Sequence, residues 1–205
     1  FSDALQICGR ELSPEDAADL LLEDTDFYRN SGGGVTISGG EPLCQAEFCA
    51  ALFGFLKSRG IHTAIDTCGF VPWTAFEKVL PVTDLFLYDV KHIDPEQHRR
   101  LTGHSNGLIL DNLRRLSETG KPIEIRMPLI PGLNMEQDVI DATGTFLSSL
   151  KNIPPVRLLA YHPYAQDKCR YVGRKSIMPD VPPPSAEDLG LVEAALKSCR
   201  LRVDS

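Results

Sequence analysis

The chain has 205 residues, 42% of them hydrophobic and 24% charged, which suits one globular domain with a sizeable core. A formal net charge of -7 argues against a surface built for nucleic acid. No apolar run approaches the roughly 20 residues of a membrane span, and the opening "FSDALQICGRE" lacks a basic-then-apolar leader. The six cysteines (Cys8, Cys44, Cys49, Cys68, Cys169 and Cys199) show no C-x-x-C spacing and read as reduced thiols of a cytoplasmic protein. They announce no iron or zinc site.

In chain order, "LSPEDAADLLLED" predicts the first helix, with Ser13 at the N-cap, Pro14 at the first helical position and acids in the first turn. The glycine-rich "NSGGG" leads into a short buried strand, Val35–Ser38, followed by a helix from about Ala46 to Ser58 that stops at Gly60. Next come a strand in "HTAIDT", a helix near Pro72–Val79 and a strand in "DLFLYDVK". A helix around Asn106–Thr119 precedes the strand "PIEIRMPLI", and a helix near Glu136–Leu150 precedes the strand "PVRLLAYH". Beyond the stiff connection "VPPPS", Ser185 caps a last helix ending near Cys199, with "LRVDS" as a possible final strand. Strands alternate with helices without hairpin signals, so the expected fold is α/β, a single domain around a parallel sheet with right-handed crossovers.

In such folds the carboxyl ends of the strands form the ligand face. The successive strand ends deliver Gly39, Gly40 and Glu41, then Asp66 and Thr67, then Asp89 and Lys91, then Arg126, then Tyr161 and His162. Acids with a lysine and an arginine suit a zwitterion carrying both ammonium and carboxylate. The bare backbone of Gly39–Gly40 allows close approach, its carbonyls and Glu41 can accept from an ammonium, and Pro42 fixes the turn that follows. Taken singly, Asp66 and Asp89 also suit turn caps, Lys91 a snorkelling surface lysine, Arg126 a structural partner of an acid, and His162 a structural histidine. Their convergence on one face favours the ligand reading. No G-x-G-x-x-G or Walker pattern supports a nucleotide loop.

In order along the chain, "GGGVTISGGEPL", "AIDTCGF", "DLFLYDVKHID", "LTGHSN", "RMPLIPGLN" and "LLAYHPY" resemble the radical S-adenosylmethionine activating enzymes of glycyl radical enzymes, of the pyruvate formate-lyase activating type. The resemblance is strong from about Ala4 to His162 and looser beyond. It implies a partial (β/α)6 TIM-like barrel that binds S-adenosylmethionine and a [4Fe-4S] cluster. It also implies reductive cleavage to a 5'-deoxyadenosyl radical, which abstracts hydrogen from a glycine of a partner glycyl radical enzyme. By the same resemblance Gly39, Gly40, Glu41, Pro42, Asp66, Lys91 and His162 hold the cofactor. Asp66, Thr67 and Asp89 fall where relatives bind a monovalent cation, and Arg126 lies near the incoming peptide. A flavodoxin or ferredoxin would donate the electron, and the enzyme is expected to be a cytoplasmic monomer without nucleic-acid or membrane partners, in an anaerobe.

One departure stands out. The family's C-x-x-x-C-x-x-C motif and the strand before it are absent from this sequence, which also lacks a starting methionine. The expectation is therefore the C-terminal part of a longer activase, with residues 1–11 as the tail of a ferredoxin-like insert and the visible strands as the second to sixth of the barrel. Such a chain alone should not perform the radical chemistry. Two other readings stay open: an iron-free barrel enzyme using Lys91 as a Schiff-base lysine, and a non-catalytic binding protein for a glycyl radical enzyme.

Overall fold

The computed structural model describes residues 9–162 and 181–204. Within them the strands β1 (Gly34–Ile37), β2 (His62–Thr67), β3 (Leu85–Asp89), β4 (Ile123–Leu129), β5 (Val156–Ala160) and β6 (Val203–Asp204) form one sheet in the order β1-β2-β3-β4-β5-β6. Every pairing is parallel. Spatial order equal to chain order, joined by crossovers of one hand, puts the helices on one side of the sheet and curls it toward a barrel. Among the described residues, no helix is long and apolar enough to cross a membrane.

The helices are α1 (Pro14–Leu22), α2 (Thr25–Ser31), α3 (Ala46–Lys57), α4 (Trp73–Val79), α5 (Pro95–Thr102), α6 (Gly107–Glu118), α7 (Gln137–Ser148) and α8 (Ala186–Ser198). The Ser13 hydroxyl caps α1 by accepting from the Asp16 N–H at 3.0 Å. Ser185 and Asp188 form a reciprocal capping box on α8. Two helices escaped the sequence reading. Helix α2 buries no residue and α5 buries only His98, so neither shows an apolar stripe. The local signals of α5 are nonetheless present: Asp94 accepts from the Glu96 and Gln97 N–H groups, Pro95 opens the helix, and Gly103 ends it.

Strand alternation divides the sheet into two unlike faces. Val35, Ile65, Phe86, Tyr88, Ile123, Ile125, Met127, Val156 and Leu158 are buried against the helices, whose Phe53, Phe76, Leu113, Leu147 and Leu196 complete the core. Each such side chain contributes roughly 1.5–3 kcal/mol of burial. The opposite face carries Ser38, Asp66, Leu87, Asp89, Glu124, Arg126 and Arg157, none of them buried. Strand register joins them, with Asp66 opposite Leu87, Leu87 opposite Glu124, Asp89 opposite Arg126, and Arg126 opposite Arg157. A parallel sheet ordinarily has both faces covered; among the described residues, the second face here is charged and at least part-exposed.

Candidate active site at the carboxyl edge of the sheet

The turn leaving β1 is shaped by its backbone. Gly39 has φ +136°, a conformation that an L side chain rarely adopts, and both Gly39 and Gly40 are exposed. Pro42 then opens a 3-10 turn, Pro42–Gln45, that feeds α3. Between them Glu41 points back into the protein. Its Oε1 accepts from the Leu43 N–H at 3.1 Å and the Thr67 hydroxyl at 2.7 Å, and its Oε2 accepts from the Cys68 N–H at 2.9 Å. The sequence reading gives this carboxylate to an ammonium ligand. The structure instead commits three of its acceptor positions to tying the β1 exit to the β2 exit.

Asp66 and Thr67 are neighbours on β2 and therefore face opposite sides of the sheet. Thr67 is 2% exposed; its hydroxyl donates to Glu41 and accepts from the Gly69 N–H at 2.9 Å. Asp66 lies on the open face, where its Oδ2 accepts from Arg126 Nη1 at 2.8 Å and from the Ser38 hydroxyl at 3.0 Å. Beside it, Lys91 Nζ pairs with Asp89 Oδ2 at 3.1 Å. The structure thus brings Asp66, Arg126 and Ser38 into one cluster and Asp89 with Lys91 into another on the same edge, while it sets Thr67 apart with Glu41. His162 follows β5 at the same edge and is exposed. Among the described residues, no group of three or more His, Cys, Asp or Glu side chains converges as a metal site.

Three buried asparagines went unnoticed in the sequence. Asn106 and Asn112 are 2% exposed and Asn134 is 3% exposed. Each directs its side-chain amide nitrogen at two backbone carbonyls at or just beyond the carboxyl ends of strands. The signal was visible, since "LTGHSN" and "RMPLIPGLN" both end in one of them.

The thiols near the site are not activated. Burial, reinforced by the Glu41 carboxylate against the opposing Phe70 backbone bond, pushes the Cys68 thiol up. Burial raises Cys49 to about 11. Both groups stay protonated at neutral pH, which suits neither a nucleophile nor a metal thiolate. Tyr88, beneath the β2 exit, donates to the Ile109 carbonyl at 2.7 Å, and burial raises its phenol well above the usual range.

A chain-ordered parallel sheet with helices on one face and ionisable side chains along its carboxyl edge defines a (β/α)-barrel type of protein. Residues 4–142 match the radical SAM superfamily. The trans-4-hydroxy-L-proline dehydratase activating enzyme of Clostridioides difficile is 42% identical over 191 residues, which cover 92% of this chain and 63% of that enzyme. The pyruvate formate-lyase-activating enzyme of Staphylococcus epidermidis is 38% identical over 87% of this chain and 73% of its own length. The crystal structure of a domain of pyruvate-formate lyase-activating enzyme from Bacteroides vulgatus superimposes with a TM-score of 0.72 at 32% identity, covering 84% of this chain and 98% of that domain. The chain belongs to the radical SAM superfamily and, within it, to the family of glycyl radical enzyme activating enzymes. It spans 63% of the length of its Clostridioides difficile relative.

That membership implies S-adenosylmethionine and a [4Fe-4S] cluster. The described residues fit the two differently. The exposed Gly39–Gly40 backbone with Asp66 and Lys91 is a donor and acceptor set for the amino and carboxylate groups of a methionyl moiety. For the cluster, the described cysteines are the free thiols Cys44, Cys49, Cys68 and Cys199, and no three of them converge. Cys8 and Cys169 lie outside the described residues.

Proposed function

We propose that this chain is the S-adenosylmethionine-binding core of an activating enzyme whose substrate is a glycyl radical enzyme. The observation that carries the reading is a coincidence of place. The stretch matched to the superfamily, residues 4–142, contains most of the polar edge, namely Gly39–Gly40, Asp66, Asp89, Lys91 and Arg126, with His162 beyond it. The named relatives activate a dehydratase and a lyase, which supports the partner class and leaves the particular partner open.

Once bound, S-adenosylmethionine supplies the 5'-deoxyadenosyl group for hydrogen abstraction from the partner's glycine. The chain's own residues bind and orient. The Gly39–Gly40 carbonyls and Asp66 take the methionyl ammonium, and Lys91 takes its carboxylate. His162 stands at the rim beside the cofactor. Glu41 holds the β1 and β2 exits at a fixed separation. Arg126, now on Asp66, turns to the peptide when the ammonium occupies Asp66. A monovalent cation held by Asp66, Thr67 and Asp89 would compete with Arg126 and Lys91 for the two carboxylates. The partner's glycine loop must cover the open face, because a radical exposed to water is quenched. We take the family resemblance to imply a cytoplasmic compartment with flavodoxin or ferredoxin as electron donor. We read residues 1–11 as the tail of a ferredoxin-like insert; residues 1–8 lie outside the described residues.

The test is S-adenosylmethionine binding by the full-length protein under non-reducing conditions. Asp66→Ala and Lys91→Ala should each weaken it, and unchanged affinity in both variants would remove the proposed site. Arg126→Ala should impair glycyl radical formation more than cofactor cleavage; the opposite pattern would move Arg126 off the peptide side.

A further inference from the structure

Beyond β3 the chain leaves the sheet while still carrying the residue on which the proposed site depends. The last ladder bond on this side runs from the Val90 N–H to the Arg126 carbonyl at 3.0 Å. The next three carbonyls, of Lys91, His92 and Ile93, have left the ladder behind. Each is taken up by a buried asparagine. Asn134 Nδ2 donates to the Lys91 carbonyl at 2.9 Å, and Asn106 Nδ2 donates to the His92 and Ile93 carbonyls at 2.9 and 2.7 Å.

The second amide hydrogen of Asn134 goes to the Pro128 carbonyl at 2.6 Å, and its Oδ1 accepts from the Ile130 N–H at 2.8 Å. One side chain therefore pins the β3 exit to the β4 exit. Asn106 occupies the N-cap position of α6, where asparagine is strongly favoured because it can cap, yet it makes no side-chain cap bond. Both of its amide hydrogens serve the β3 exit instead. A residue that forgoes its local role while 98% buried has been placed for a tertiary one.

The structure assigns Asn106 and Asn134 as positioning residues that set the direction in which Lys91 leaves β3, and so where its ammonium stands relative to Asp89 and Asp66. The assignment rests on the reading of Lys91 as an S-adenosylmethionine contact. It also accounts for the asparagines that end the motifs "LTGHSN" and "RMPLIPGLN". The amides touch backbone alone, so they act through Lys91. A lysine on a flexible stem, 39% exposed, is only as well placed as the backbone that carries it.

Asn134→Asp keeps the side chain's shape and the acceptor for the Ile130 N–H but removes both donors; Asn106→Asp does the same at the neighbouring carbonyls. Two readouts on the full-length protein test the proposal: amide hydrogen exchange across residues 90–93, and the affinity for S-adenosylmethionine without reductant. Exchange in that segment should rise at least tenfold in either variant, above any change in the core strands. Affinity should fall about tenfold in the wild-type background and less than twofold in the Lys91→Ala background, because residues acting through one another are non-additive. An equal loss in both backgrounds would make the asparagines purely structural and overturn the proposal, as would unchanged exchange. Unchanged affinity in Lys91→Ala alone would refute the binding reading itself, a result distinct from additivity around a lysine that matters. Should the aspartate variants fail to fold, Asn106→Ser, with a smaller side chain and one hydroxyl donor, carries the same cycle.

Discussion

Glu41→Gln separates two roles for the glutamate of the Gly39–Pro42 turn. A carboxylate that serves only a ligand can be changed without cost to the empty protein. The observed carboxylate accepts from Leu43 N–H, Thr67 Oγ1 and Cys68 N–H, and the last of these stands alone on Oε2. An amide placed with its nitrogen at Oε2 faces the Cys68 N–H donor to donor; placed the other way it faces the Leu43 N–H donor to donor, while the Thr67 hydroxyl can turn to accept. The better orientation thus costs at least one charge-assisted bond, about 1.5–3 kcal/mol. For a domain of this size each kcal/mol moves Tm by about 2–4 °C, so the variant should melt about 3–12 °C lower without any ligand. Differential scanning calorimetry on the ligand-free protein measures this directly. A shift below about 1 °C would refute the buttressing role and return Glu41 to the ligand.

Gly39→Ala should cost about 1–2 kcal/mol from backbone strain at φ +136°, although its Cβ would meet nothing; Gly40→Ala, in open space without that φ, should be close to neutral in denaturant unfolding. Gly69→Ala would drive a Cβ into the Tyr88 ring and hydroxyl, so it should destabilise far more than Tyr88→Phe, which loses only the bond to the Ile109 carbonyl. Burial lowers the His98 pKa below its usual 6.5, so the unfolded chain binds the proton more readily. Stability from this group is complete above about pH 6.5 and declines as pH falls through the range between the unfolded and the lower folded value. His98→Gln should flatten that acid limb between pH 7 and 5, and a slope equal to that of the parent protein would show that His98 is not its source.

Much of the architecture was legible in the chain because its signals are local. Ser13–Pro14 and Ser185 announce helix starts from within a few residues, and the alternation of "PIEIRMPLI" reappears as a strict buried and half-buried pattern along β4. The period of two also decides that the side chains of Asp66 and Thr67 look to opposite faces. Helices α2 and α5 were missed because a helix with little buried surface leaves no stripe to read, although the Asp94-Pro95 start and Gly103 stop of α5 were there.

What only the tertiary structure decided are the partners. Arg126 reaches Asp66 across 60 residues of chain, Asn134 reaches Lys91 across 43, and Thr67 reaches Glu41 across 26. Composition and spacing place Glu41, Asp66, Thr67, Lys91 and Arg126 at the carboxyl edge, since every parallel strand ends there, but not Asn134. Which carboxylate faces the open surface and which is consumed inside depends on register between strands, and register is set by how the whole buried face packs against the helices.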